Sequence, residues 1–206
     1  MPRHAAKLAS SFVSHLRYLE QTRSKMERLA STGYIVRRDI EQVYLGLFID
    51  AMTSFESLIE KLFVGILVGK IKPRTKRIVP RISFESNRIA REVVLGGRNY
   101  VDWFPYEEQT EKRARAFFRN GLPFTCFSDP EKAQLRNLNY IRNAIAHQSN
   151  FSKRQFERKV IASLYLTIQE KTPAGFLRSK IRITPDQTRY ENFVIQMATL
   201  ANKLCS

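Results

Sequence analysis

Apolar residues recur along this chain with the period of an α-helix, over stretches long enough to exclude most other folds. Between Ala5 and Ala30 they fall at Leu8, Phe12, Leu16, Leu19 and Met26, a stripe that stops near Gly33. Between Arg38 and Gly69 the stripe returns at Ile40, Tyr44, Leu47, Ala51, Phe55, Leu58 and Leu62. Spacings of three and four gather such residues on one side of a helix, whereas a half-buried strand needs alternation. The second stretch turns apolar on all sides near its end, which predicts burial in a core or an interface. Its longest apolar run, Leu62 to Val68, is interrupted by Gly65 and falls far short of the roughly 20 residues that cross a bilayer. The expected fold class is all-α.

Helix punctuation continues downstream. Pro105, followed by Glu107 and Glu108, predicts a third helix from Glu107 to Asn120, stopped by Gly121. Asp129-Pro130-Glu131 predicts an N-cap with proline at the first helical position, opening a helix whose apolar face is Leu135, Leu138, Ile141 and Ile145. Ser152 with Gln155 has the spacing of a capping box for a helix running to about Lys171. Thr184-Pro185-Asp186-Gln187 opens a last helix ending near Leu204, and the stretch from Thr172 to Ile183 reads equally as loop or short β excursion. One single domain, 1–206, is expected, with 70–105 as a basic, partly irregular insertion.

Composition bounds the partners. A chain of 206 residues with 35 Lys and Arg against 19 Asp and Glu has a net charge of +16, which points to a polyanion such as RNA. The charge is uneven. Residues 70 to 98 hold Lys70, Lys72, Arg74, Lys76, Arg77, Arg81, Arg88, Arg91 and Arg98 against Glu85 and Glu92, a segment charge of +7. Pro73 and Pro80 break any helix there, while Ser83 or Ser86 caps a short one through Leu95 before Gly96-Gly97. The segment reads as a solvated loop or as an RNA-contacting arm, with Lys70, Lys72, Arg74, Lys76, Arg77 and Arg81 as its candidate contacts. Two cysteines, Cys126 and Cys205, support neither a disulfide framework nor a zinc site, so the expected location is cytoplasmic, with no membrane partner. No phosphate-binding glycine loop and no paired-histidine zinc motif occurs.

The chemistry-bearing run is Arg142-Asn143-Ala144-Ile145-Ala146-His147. A neutral imidazole takes the proton of a ribose 2′-hydroxyl, and its ordinary pKa lies near working pH. A guanidinium stays charged and stabilises a phosphate under attack, while an Asn amide orients the imidazole or holds a phosphate oxygen. The plainer reading is an Arg paired with a carboxylate and a His capping a helix. Five residues at about 100° each set Arg142 and His147 about 140° apart on a straight helix, so they do not converge on one phosphate. Either the helix ends or bends near Ala146, or two copies of the motif face each other.

Leu138-Asn139-Tyr140-Ile141-Arg142-Asn143-Ala144-Ile145-Ala146-His147-Gln148-Ser149 resembles the signature of the HEPN superfamily, small helical domains of prokaryotic toxins and defence systems. Trp103-Phe104-Pro105, Gly121-Leu122-Pro123-Phe124 and the stretch from Phe151 to Val160 look most like its RiboL-PSP-HEPN branch. The resemblance implies an antiparallel helical bundle and a homodimer through the motif helix. It implies a metal-independent endoribonuclease without cofactor, leaving a 2′,3′-cyclic phosphate, in a toxin–antitoxin or phage-defence setting with an antitoxin or defence protein as partner. It also implies a polar residue on the second helix, for which Glu56 is the first candidate, then Ser57 or Glu60. A subset of the family has a modified tyrosine two residues after the motif histidine; Ser149 stands there, so that control is not expected.

Two other readings stay open: a HEPN module that binds RNA or a partner without cutting, and an unrelated basic helical nucleic-acid-binding protein. Trp103 reads as a core anchor or, alternatively, a platform for unpaired bases. Tyr100, Tyr106, Phe117 and Phe118 read as core, and His4 and His15 as surface.

Overall fold

A computed structural model describes residues 3–73, 78–147, 149–181 and 187–206. It is mostly helical, with strands confined to short paired segments, as the apolar periodicity predicts. Two long helices, α1 (Ala5–Ser31) and α2 (Arg37–Leu67), match the two stripes within a few residues. They are followed by β2 (Ile71–Lys72), α3 (Asn87–Leu95), α4 (Lys112–Phe117), α5 (Asp129–Ala146), α6 (Asn150–Phe156), α7 (Pro173–Arg178) and α8 (Arg189–Cys205). Strand β1 (Arg3–His4) precedes α1, while β3 (Lys180–Ile181) and β4 (Gln187–Thr188) precede α8. Among the described residues no helix is long and apolar enough to cross a membrane.

The chain divides into two compact units: Met1–Val13 with Ser54–Arg136 and Ala198–Ser206, and Ser14–Thr53 with Asn137–Met197. All four divisions fall inside helices, so α1, α2, α5 and α8 each contribute to both units.

The first unit is built on rings. Phe63, fully buried on α2, has the rings of Trp103, Phe117, Phe118 and Phe124 at 4.8 to 5.7 Å. Leu62, Val64, Ile66 and Leu67 are buried as well, which is why this end of α2 is apolar all round. Gly65 lies among them because a Cβ there would meet Ile71 at 2.2 Å. Its absence lets the parallel β1–β2 pair, Arg3 opposite Ile71 and His4 opposite Lys72, close onto the helix. Trp103 is a core anchor at 2% exposure, with the Arg113 guanidinium 5.1 Å from its ring centre, and this rules out the base platform. Tyr100 corrects its expectation: it is 69% exposed, in an open turn beyond Gly96-Gly97.

The expected third helix is broken. A π turn (Glu107–Glu111) leads into α4, which ends at Phe117, and a 3-10 turn follows with Asn120 at φ 59°. Phe118 leaves the helix in extended conformation to bridge Pro80, and that pairing outweighs helix continuation. The start of α5 shifts by one residue. Asp129 is already helical, while the Ser128 backbone N–H and hydroxyl both donate to Glu131, each at 2.7 Å. Burial opposes the charge on Glu131, but Lys203 at 2.5 Å and the two Ser128 donors outweigh it and hold its pKa at about 2.

A depressed folded pKa stabilises the fold above the ordinary value of 4.5. That contribution is lost as pH falls through about 2. At pH 7 Glu131→Gln is expected to cost about 1 kcal/mol, as other helix-start contacts do. Urea unfolding at several pH values should show the gap from wild type closing between pH 4.5 and 2. A gap independent of pH would contradict this assignment.

The second unit is organised around charge. Arg23, 9% exposed, pairs with Glu20 and Glu191 at 2.6 Å each and donates to the Tyr44 hydroxyl. Tyr44 in turn donates to Glu27, which Arg178 grips through two bonds of 2.9 and 3.0 Å. Burial alone would lower the Arg23 pKa; Glu20 and Tyr44 more than reverse it and keep the guanidinium charged. Phe176 joins this unit to the rings of Phe156 and Phe193 and lies under the Arg189 guanidinium.

Two helix boundaries in this unit differ from expectation. The helix after the motif is capped by Ser149, whose hydroxyl accepts from the Ser152 N–H, and not by Ser152, which is buried. It runs through α6 and a π turn to Ile161, short of Lys171. Thr167 with Glu170 caps a separate 3-10 turn, and Thr172 caps α7 ahead of Pro173, so two local caps divide the stretch. The undecided region thus holds α7 and an antiparallel pair, Lys180 opposite Thr188 and Ile181 opposite Gln187. Helix α8 opens at a reciprocal Thr188–Glu191 box, while 184–186 of the expected start lie outside the described residues.

Candidate functional site

Helix α5 delivers the motif. From Asp129 to Ala146 it contains no glycine, and it buries Leu135, Leu138, Ile141 and Ala144 while Ile145 stays half-exposed. That anchored face leaves Arg142 and Asn143 half-buried and His147 exposed. The helix ends at Ala146, but the His147 backbone N–H still donates to the Asn143 carbonyl at 2.9 Å. The imidazole thus leaves from a closed last turn rather than from a loose loop. Ser149 then caps α6, so the chain between two helices is only a few residues long.

Arg142 Nη1 donates to Asn143 Oδ1 at 3.0 Å. Among the described residues Arg142 has no carboxylate partner, while His147 sits just past α5 with its N–H closing the last turn, so the plainer reading fails for the arginine and holds for the backbone of the histidine. The Asn143 carbonyl oxygen is occupied by Arg142, leaving its amide NH2 as the donating end. A half-buried guanidinium with no described carboxylate beside it is free of charge pairing and has the geometry to take an anion. Among the described residues no three His, Cys, Asp or Glu side chains come together.

The other candidates stand on α2 and on the segment that follows it. Glu56 is half-buried on α2. Ser57 beside it is also half-buried. Glu60 is committed elsewhere, paired with Arg91 at 2.7 Å and approached by the Trp103 indole N–H at 3.5 Å. Of the basic-arm candidates, Lys70, Lys72 and Arg81 are exposed, and Arg74, Lys76 and Arg77 lie outside the described residues. Arg88 pairs with Glu92 and Arg91 with Glu60, so part of the segment's charge is neutralised locally.

The second unit also holds a cavity of about 580 Å³, lined by Arg23, Glu27, Arg178 and Glu191 among others. Its charges already satisfy one another, so it reads as a structural network. What residue-by-residue reasoning missed is the far side of α6. Phe151 is 71% exposed there, and Lys153, Arg154, Arg158 and Lys159 are exposed with it. The spacing of Phe151, Arg154 and Arg158 was a visible signal of one helical stripe.

No protein-family model matches the chain, and no curated protein or solved structure is found similar to it.

Proposed function

We propose that this protein is a metal-independent endoribonuclease of HEPN type, working as a homodimer through the motif helix. The observation that carries the reading is the end of α5: an exposed His147 on a hydrogen-bonded last turn, beside an Arg142 held by Asn143 and unpaired with any described carboxylate. His147 takes the proton of the 2′-hydroxyl, and the resulting oxyanion attacks the adjacent phosphorus. Arg142 and the Asn143 amide stabilise the added charge on the phosphate oxygens. The bond to the 5′-oxygen breaks, and the His147 of a second copy protonates that leaving oxygen. The products are a 2′,3′-cyclic phosphate and a 5′-hydroxyl. The dimer supplies the convergence that one helix denies, since Arg142 and His147 diverge by about 140° on a regular helix. Glu56 is the second-helix acid in this scheme, and a toxin–antitoxin or defence setting, with a cognate antitoxin or defence protein, is the proposed context.

The proton transfers and charge stabilisation use side chains alone. Incubated with total cellular RNA in excess EDTA, the protein is therefore expected to cut as fast as without chelator, within about two-fold, and to leave cyclic-phosphate ends. Cleavage lost on chelation and restored by magnesium would sink the mechanism. Binding of RNA by a protein that never cuts it would favour a non-catalytic RNA-binding module of the same type.

A further inference from the structure

Four cations on the segment that follows the motif have no partner among the described residues. Lys153, Arg154, Arg158 and Lys159 are exposed and make no ion pair or side-chain hydrogen bond among the described residues. Exposed arginines elsewhere differ: Arg37 and Arg88 each engage a glutamate one turn away, while Arg17, Arg28 and Arg38 have no ion pair among the described residues, and what sets this segment apart is four such cations within seven residues. Here Glu157 alone accompanies the four, so the segment carries +3. The buried residues Ser152 and Phe156 face the core four apart, and Phe151, Arg154 and Arg158 follow the i, i+3, i+7 stripe on the other side. Phe151 is 71% exposed and Tyr165, just past the π turn, is fully exposed.

An exposed ring beside a cluster of cations with no described partner combines the two groups that hold single-stranded nucleic acid, a stacking face and phosphate donors. We infer that the outer stripe of α6 and the π turn after it, with Phe151, Arg154 and Arg158 at its centre, is a track for single-stranded RNA leading from His147. Unpaired bases offer faces that stack on Phe151, and the phosphates between them meet Arg154 and Arg158. A second copy of the chain is the poorer occupant, because a two-fold contact sets the patch against itself and brings +3 against +3. A duplex is poorer too, since its bases are already stacked inside. The track deepens the ribonuclease reading by naming its substrate form, and it rests on that reading for the choice of RNA.

The test uses the full chain and a fluorescent, 2′-O-methylated single-stranded RNA of mixed sequence, which binds without being cut. Phe151→Ala is expected to weaken binding about 5- to 100-fold with little change in its salt dependence, as loss of one stacked base does. Arg154→Gln with Arg158→Gln is expected to weaken binding and to flatten the plot of log affinity against log salt by roughly 1.4, two single-strand phosphate contacts. A duplex of equal length should bind more weakly to wild type and respond less to Phe151→Ala. Wild-type affinity in both variants overturns the proposal, as does a duplex bound equally well. So does a change in sedimentation with RNA binding intact, which assigns the face to a protein contact. The two readings fail separately. Variants that lose RNA while wild type never cuts leave the track standing without the nuclease; a wild type that cuts, with variants binding normally, does the reverse.

Discussion

His147→Ala is expected to lower the RNA cleavage rate by at least about 100-fold while leaving RNA affinity nearly unchanged, because general acid–base groups contribute about 10²- to 10⁴-fold. The imidazole is exposed and bonds no other described side chain, so its removal leaves no cavity and no orphaned partner. Stability should stay within about 0.5 kcal/mol of wild type, as for other exposed substitutions. Single-turnover cleavage of a short RNA, with binding measured in parallel on the uncleavable analogue, separates the two effects. Undiminished cleavage would remove His147 from the chemistry and return the chain to the class of basic helical proteins that bind RNA by charge.

Phe63→Ala is expected to have the largest effect on stability, a loss of about 3–5 kcal/mol. Phe63 is fully buried and touches four other rings, so truncation opens a void bordered by aromatic faces that cannot collapse into it. For a chain of this size the melting temperature should fall by roughly 6–20 °C. Phe63→Leu, which keeps most of the volume, should cost markedly less. Circular dichroism melts of the three proteins decide it, and a loss under about 1 kcal/mol for the alanine variant would show that the ring cluster adapts.

The long helices were legible because their stripes extend over many turns, and the buried Phe12, Leu16, Tyr44 and Phe55 all lie on them. Boundaries were less legible where several caps compete. Ser149 and Ser152 both have capping chemistry, and only packing, which buries Ser152, selects between them. Thr167 and Thr172 open a separate 3-10 turn and α7 beyond the helix end at Ile161, through bonds to Glu170 and Gly175 that no apolar period reveals. The break after α4 depends on Phe118 pairing with Pro80, a contact distant in sequence. At the candidate site, the motif and its exposure were readable, since a helix end after Ala146 leaves His147 outside. The Arg142–Asn143 bond was not, because neighbouring residues on a helix normally diverge and meet only when a long side chain folds back. Tyr100 was misplaced because an aromatic beside Trp103 invites a core reading, and exposure is set by the turn that carries it.

The first compact unit draws on both Met1–Val13 and Ala198–Ser206, and Leu200, Leu204 and the Glu131–Lys203 pair belong to it. During synthesis its rings at 63 and 103–124 are made long before the segment 198–206 that belongs to the same unit. A chain emerging from the ribosome therefore holds this unit incomplete until residues 198–206 have been made. For such a chain, the interval between synthesis and folding is itself a period of exposure to proteases and chaperones.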